Sequence, residues 1–121
     1  MTPVCEKGSG AQAERLAEAF LVARGLRPVA QNYRTRRGEI DLIMRDGNTL
    51  VFVEVRLRSN RSYGDGIDSI TAHKRTRIVS AAQAYLQSID RAPACRFDVV
   101  ALSSLDAGSI EWIRDAFGEM D

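Results

Sequence analysis

Two acidic residues, Asp41 and Glu54, have the spacing to bind a metal ion together. Each lies in an apolar run, and the runs flank residues 46–48, whose Asp-Gly-Asn sequence is typical of a tight hairpin turn. Because side chains alternate between the two faces of a strand, the two acids are predicted to lie on the same face. Like charges on neighbouring strands destabilise a sheet, so the pair indicates a bound cation.

The geometry of the turn decides which acid faces Glu54. If Gly47 and Asn48 form the turn, Asp41 lies directly opposite Glu54. If the turn starts one residue earlier, Glu39 lies opposite Glu54 and Asp41 remains on the same face, whereas a three-residue loop with a bulge would break this parity. The alternation predicts one apolar face, made of Ile40, Leu42, Met44, Val51, Val53, Val55 and Leu57, and a second face with Glu39, Asp41, Ile43, Phe52, Glu54 and Arg56.

Carboxylate oxygens are the ligands that hard cations such as Mg²⁺ or Mn²⁺ prefer. A metal held by two acids suits hydrolysis of a phosphodiester, since it can hold the phosphate, activate water and stabilise developing charge. Arg56 lies two positions after Glu54 and is predicted to point to the same site, where it would meet the phosphate. The other interpretation of the two acids is a solvated strand face without a ligand.

The order of motifs along nearly the whole chain, from about Gly10 to about Phe117, resembles a known family. An acid on one strand, followed by an acid-x-basic step on the next, is the core of the nucleases with the Asp…(Asp/Glu)-x-Lys signature. The longer pattern resembles the YraN-like family of small bacterial proteins, which are similar to archaeal Holliday-junction resolvases. Its segments here are Ala13-Glu14-x-x-Ala17, Gly25, Asn32-Tyr33-Arg34, residues 38–43, residues 51–56, Lys74, Tyr85-Leu86 and residues 96–100.

The resemblance implies a restriction-endonuclease-like α/β fold, with a mixed sheet of four to five strands flanked by helices in the order α-β-β-β-α-β-β. It implies binding of nucleic acid, most plainly branched or structured DNA, and a metal-dependent endonuclease site. Asp41 and Glu54 would be the metal ligands and Glu14 an accessory acid, while Glu39 would bind the metal through water or orient a ligand. A homodimer is a further implication, because two cuts in a branched substrate need two sites.

Arg56 departs from the family pattern, since it occupies the place of the signature lysine. Arginine stays protonated and cannot act as a base, although it can clamp a phosphate. Three hypotheses follow from this departure. The first is a metal-dependent endonuclease, the second a catalytically silent nucleic-acid-binding module with the same fold, and the third a protein-interaction domain.

Basic side chains near the acidic pair are candidates for contacts with nucleic acid. Those just before the acidic strand could contact phosphates or protect a strand edge from aggregation. The loop at residues 58–66 combines arginines with a tyrosine, which could stack a base or pack on the sheet edge. Lys74 could replace the charge of the missing lysine, but a surface charge at a helix start is the preferred interpretation. The predicted contacts are Arg34, Arg36, Arg37, Arg58, Arg61, Tyr63 and Lys74.

Composition agrees with one compact domain, and its uneven charge has two interpretations: a phosphate-containing partner, or a solvated surface in an arginine-rich proteome. The chain has 121 residues, 45% of them apolar, and a net charge of +1. Residues 24–77 hold twelve basic and six acidic side chains, whereas residues 78–121 hold three basic and seven acidic ones. No signal-peptide pattern or membrane-length apolar stretch is present, so we expect a cytoplasmic protein.

Periodicity predicts the elements that position these residues. Residues 1–9 are predicted to be a flexible tail, and residues 10–121 a single domain. The helical stripes predict helices at about residues 10–24 and 71–88, the first capped by Gly25 and the second by Asp68, Ser69 or Thr71. Strands are predicted at about residues 28–34, in the two arms of the hairpin, and at about residues 96–103 and 109–114.

Overall fold

The computed structural model describes residues 4–57, 71–91, 93–105 and 109–118, and the side chains from Gly10 onward within these ranges. The elements follow the predicted order α-β-β-β-α-β-β, which confirms the α/β class. They are α1 (Val4–Ala23), β1 (Arg27–Arg34), β2 (Glu39–Asp46), β3 (Thr49–Leu57), α2 (Ala72–Gln87), β4 (Cys95–Leu102) and β5 (Ile110–Phe117). None of the helices in these ranges is long and apolar enough to span a membrane.

The five strands form one mixed sheet in the order β1-β2-β3-β4-β5. Only β3 and β4 are parallel, and the other neighbouring pairs are antiparallel. Parallel neighbours need a crossover connection, and α2 lies in the segment that joins them. The connection brings the start of α2 back towards the carboxyl end of β3, where the acidic pair is located.

The two helices cover opposite faces of the sheet, so the core has two parts. The α1 side buries Ala13, Ala17, Leu21, Leu26, Leu42, Met44, Val51, Val53, Val100 and Leu102. The α2 side buries Ile40, Ile43, Leu50, Phe52, Ile78, Ala81, Ala82, Phe97, Val99 and Phe117. Both helical stripes that the sequence predicted therefore face the core.

Ile40 corrects the predicted pattern, because it packs on the α2 side rather than with Leu42 and Met44. The strict alternation breaks at the intervening residue, Asp41. In the β1–β2 register, Asp41 falls opposite Asn32, whose φ of 49° lies in the left-handed region. The irregular backbone at this point turns Ile40, near the start of β2, towards the α2 side of the sheet. The alternation of residue types in the sequence does not reveal this change of face.

Helix α1 begins at Val4, earlier than the predicted start near residue 10. The apolar stripe marks where a helix packs, whereas an established helix propagates beyond its packed part at little cost. Its end agrees with the prediction, since the N–H groups of Gly25 and Leu26 donate to the carbonyls of Val22 and Leu21. Strand β5 is also longer than predicted and reaches Phe117.

Candidate functional site

The hairpin turn consists of Gly47 and Asn48, which was the first of the predicted alternatives. Gly47 adopts φ of 62°, a conformation that glycine reaches without steric cost. The ladder pairs Asp46 with Thr49 and continues to Leu42 opposite Val53. Beyond this last pair, the side chains of Asp41 and Glu54 interact with each other.

The acids lie in a cavity of about 300 Å³ at the end of the sheet. The cavity is walled by α1, by the ends of β2 and β3, and by the first turn of α2. It brings together all four predicted catalytic side chains, together with Lys74. Its lining residues are Gly10, Ala13, Glu14, Asp41, Glu54, Val55, Arg56, Leu57 and Lys74.

Asp41 and Glu54 are held in place by different contacts. The backbone N–H of Val55 donates to Asp41 Oδ2 at 2.9 Å, which fixes this carboxylate against β3. Glu54 is almost completely buried, and its Oε2 lies 3.0 Å from Lys74 Nζ and 3.7 Å from an Arg56 guanidinium nitrogen. Two cations therefore approach one buried carboxylate, while a second carboxylate faces it.

Burial raises the pKa of both acids, and the charge of Asp41 raises that of Glu54 further. The pKa of Glu54 is raised to about 7, first by its burial and then by the charge of Asp41, with Lys74 opposing the rise. Burial also raises the pKa of Asp41, against the hydrogen bond from Val55. A cation in the cavity would offset the burial of both carboxylates and the repulsion that raises the pKa of Glu54.

Glu14 extends the acidic pair from the opposite wall of the cavity. It lies on α1, and burial followed by the charge of Asp41 raises its pKa. A hydrogen bond from the Asn32 side chain has the opposite effect and stabilises the ionised carboxylate. Asn32 belongs to the Asn32-Tyr33-Arg34 segment of the family pattern, but nothing in the sequence indicated its hydrogen bond to Glu14. Its left-handed backbone places it beside α1, and asparagine is one of the few residues that tolerate such a conformation.

Lys74 pairs with Glu54 and lines the cavity while its side chain stays partly exposed, and its contact with nucleic acid stays a prediction. The residue lies in the first turn of α2, where its backbone N–H donates to Oγ1 of the N-cap Thr71 at 3.1 Å. The cap fixes where the helix begins, and the β3–α2–β4 crossover places that start beside Glu54. A contact between residues 20 positions apart depends on the docking of a helix, which local sequence patterns do not encode.

The carboxylate oxygens of the cavity fit a Mg²⁺ or Mn²⁺ ion that keeps several bound water molecules. Within the described ranges, no group of three or more His, Cys, Asp and Glu side chains is arranged to hold a metal. The cavity instead offers two facing carboxylates, Asp41 and Glu54. Mg²⁺ is commonly bound through one or two carboxylates, with waters and substrate phosphates completing its coordination.

The remaining predicted residues lie outside this cavity. Glu39 pairs with Arg34 at 3.3 Å and lines a neighbouring depression, so its role towards a metal stays a prediction. Arg36 and Arg37 lie in the β1–β2 turn, and both are exposed. The predicted contacts Arg58, Arg61 and Tyr63 fall outside the described residues, as do the alternative caps Asp68 and Ser69.

Comparison with known proteins gives a consistent match. A family model described as "Uncharacterised protein family UPF0102" matches residues 13–102. A UPF0102 protein of Nitrosospira multiformis is 59% identical over 108 residues, which cover 89% of this chain and 91% of the relative. A UPF0102 protein of Nitrosococcus oceani is 52% identical over 120 residues, covering 97% of both chains.

Proposed function

Because the chain belongs to the UPF0102 family, which is the predicted YraN-like family, its function has to be inferred from its site, and we propose that it is a metal-dependent endonuclease. The observation that carries the proposal is the pair of carboxylates formed by the half-buried Asp41 and the buried Glu54, beside two cations. The substrate class that fits is nucleic acid, and the resemblance to resolvases favours structured or branched DNA.

Each side chain of the cavity has a separate role in this proposal. Asp41 and Glu54 hold the metal, and the Val55 N–H keeps Asp41 oriented. Glu14, whose pKa is raised by burial and by the charge of Asp41, receives a proton from the attacking water. Arg56 and Lys74 neutralise the scissile phosphate and the leaving oxygen.

The metal would supply Lewis-acid chemistry, since it lowers the pKa of water and polarises the phosphate. The protein contributes position and charge. Lys74 takes the charge role of the signature lysine from a different element, because its ammonium group reaches Glu54 from α2. Arg56 remains on β3, where a guanidinium can bind two phosphate oxygens at once.

The test is cleavage of labelled single-stranded, duplex, flapped and four-way-junction DNA with Mg²⁺ or Mn²⁺. We expect the wild-type protein to cut at least one structured substrate, and Glu54→Gln to lower the rate by at least about 100-fold because it removes a metal ligand. Glu18→Gln is the matched control, since Glu18 lies one turn after Glu14 on α1 and contacts Gln31 instead of the cavity.

Binding of Mn²⁺ measured by calorimetry gives a second readout that does not depend on turnover. Asp41→Asn should weaken this binding, whereas Glu18→Gln should not change it. Equal cleavage by the wild type and by Glu54→Gln would refute the proposed site. Equal Mn²⁺ affinity of the wild type and Asp41→Asn would refute the metal role of the acidic pair.

A catalytically silent nucleic-acid-binding module is the second candidate. The observation that favours it is that Lys74 and Arg56 already approach Glu54, so the charge of the buried carboxylate is partly balanced without a metal. Under this hypothesis the wild type binds DNA without cutting it, and Arg56→Lys restores cleavage. If the wild type cleaves DNA and the Arg56→Lys variant cleaves it no faster, Arg56 supports turnover. The homodimer and the cytoplasmic location stay predictions.

A further inference from the structure

One side of α2 carries two neighbouring depressions that lead away from the carboxylate cavity. The first has a volume of about 320 Å³ and is lined by Glu39, Thr71, His73, Lys74, Arg77 and Ile78. The second, of about 300 Å³, is lined by Thr35, Arg36, Arg37, Ser80, Gln83, Ala84 and Gln87. Lys74 lines both the carboxylate cavity and the first depression, so the two open next to each other.

The two depressions follow one another along the same helix face. Residues 73, 77, 80, 84 and 87 are three or four positions apart, which places their side chains in one row along α2. From Lys74 to Gln87 the row is about 20 Å long, at about 1.5 Å of rise per residue. The β1–β2 turn forms the opposite wall, and we call the whole feature the α2 groove.

Gly38 fixes the β1–β2 turn against α2 between the two depressions. A Cβ atom at this position would overlap the backbone carbonyl of Arg77, so only glycine allows the approach. Thr35 closes the turn, because its Oγ1 accepts from the N–H groups of Arg37 and Gly38. The arginines of the turn are therefore held on a rigid element beside the helix.

The charge of the α2 groove is strongly positive. Arg36, Arg37 and Arg77 are exposed, and among the described residues no carboxylate lies within 4 Å of their guanidinium groups. Among the described residues that line the groove, the one acid is Glu39, which is paired with Arg34. The uncharged polar residues Thr35, Ser80 and Gln87 add hydrogen-bonding groups to this surface.

We propose that a single strand of nucleic acid leaves the carboxylate cavity along the α2 groove, with its phosphates on Lys74, Arg77, Arg36 and Arg37. The inference rests on the proposed function and adds the path of the substrate strand. The cations line the two walls of one groove, which suits one phosphate backbone, whereas a duplex would present two. Phosphate contacts of this kind position a strand without reading its sequence.

Binding of a fluorescent single-stranded oligonucleotide, measured in EDTA so that no cutting occurs, tests the path. The triple variant Arg36→Gln, Arg37→Gln, Arg77→Gln should bind at least about tenfold more weakly than the wild type. Its slope of log affinity against log salt should be shallower by about 2, at about 0.7 per lost phosphate contact on a single strand.

The matched control is Arg15→Gln, Arg27→Gln, Arg91→Gln, which removes the same charge from exposed arginines outside the groove. Circular dichroism and thermal unfolding confirm that both triple variants are folded. Equal loss of affinity in the two variants would show a non-specific charge effect and overturn the α2 groove as the path. No loss in the groove variant would overturn it as well.

A photo-crosslinking residue at Gln87 provides a test that does not depend on affinity. We expect it to crosslink to the bound strand, whereas the same residue at Gln12, exposed on α1, should not. Crosslinking at Gln12 alone would overturn the path. If the wild type cleaves DNA but the groove triple variant binds the oligonucleotide as tightly as the wild type, only the α2 groove is refuted. If the groove triple variant binds more weakly but the wild type does not cleave DNA, only the nuclease activity is refuted.

Discussion

At the scale of single residues, the cavity combines two acids that destabilise each other with two cations that offset this cost only in part. Glu54 is the centre of this arrangement, because it is buried, faces Asp41 and pairs with Lys74. Such a carboxylate is costly in a metal-free protein and favourable once a cation binds. Glu54 therefore lowers the stability of the metal-free protein at the position that we propose as the metal site.

We expect Glu54→Gln to stabilise the metal-free protein at pH 8 by about 1–3 kcal/mol and to have little effect at pH 5. The folded-state pKa of Glu54, about 7, lies above its ordinary value. Its contribution to stability is therefore present at low pH and is lost as the pH rises through about 7. The glutamine variant carries no charge to desolvate, so it escapes that loss.

Urea unfolding at both pH values, in EDTA, measures this effect. Glu18→Gln is the control for a general change of charge. A Glu54→Gln variant that is less stable than the wild type at pH 8 would mean that the Lys74 and Arg56 contacts outweigh burial and repulsion, and that the protein needs no cation to stabilise the pair.

At the scale of elements, β5 is attached to the sheet by a network of polar contacts centred on the buried Asp98. Asp98 on β4 is completely buried and accepts hydrogen bonds from Trp112 Nε1 and from the backbone N–H of Asp115, both at 2.9 Å. Arg96 pairs with Asp98 at 3.0 Å and with Asp46 on β2 at 3.0 Å. The sequence placed Asp98 in a motif, and its contacts are structural.

Asp98→Ala should lower the free energy of unfolding by about 3–5 kcal/mol, because it leaves a partly buried guanidinium and an indole N–H without their partner. Asp98→Asn should cost less, since the amide oxygen still accepts a hydrogen bond. Urea unfolding measures both values, with the exposed Asp115→Asn as a control. A loss below 1 kcal/mol for Asp98→Ala would contradict the role of this network.

At the scale of the whole molecule, the sequence predicted the elements better than the contacts between them. The Asp-Gly-Asn segment predicted the hairpin between β2 and β3, because a hairpin is determined by residues close in sequence, although the alternation fails at Asp41. Helical stripes predicted which faces of α1 and α2 are buried. These features depend on local periodicity, which a sequence displays directly.

Features that depend on docking could not be predicted in the same way. The contact of Lys74 with Glu54 requires α2 to cross over the end of β3, and the contact of Asn32 with Glu14 requires an irregular backbone in β1. The α2 groove depends on Gly38 meeting the backbone of Arg77. In each case two elements must be packed before the residues are neighbours.

The parallel pairing of β3 with β4 also has a consequence for the order of folding. The β2–β3 hairpin closes a short loop and can form early, whereas β4 has to wait for the residues that connect it to β3, including α2. Asp41 and Glu54 thus meet before Lys74 arrives to balance them. Glu54→Gln should consequently refold faster than the wild type in stopped-flow measurements, because the nascent hairpin of the variant does not bring two carboxylates together.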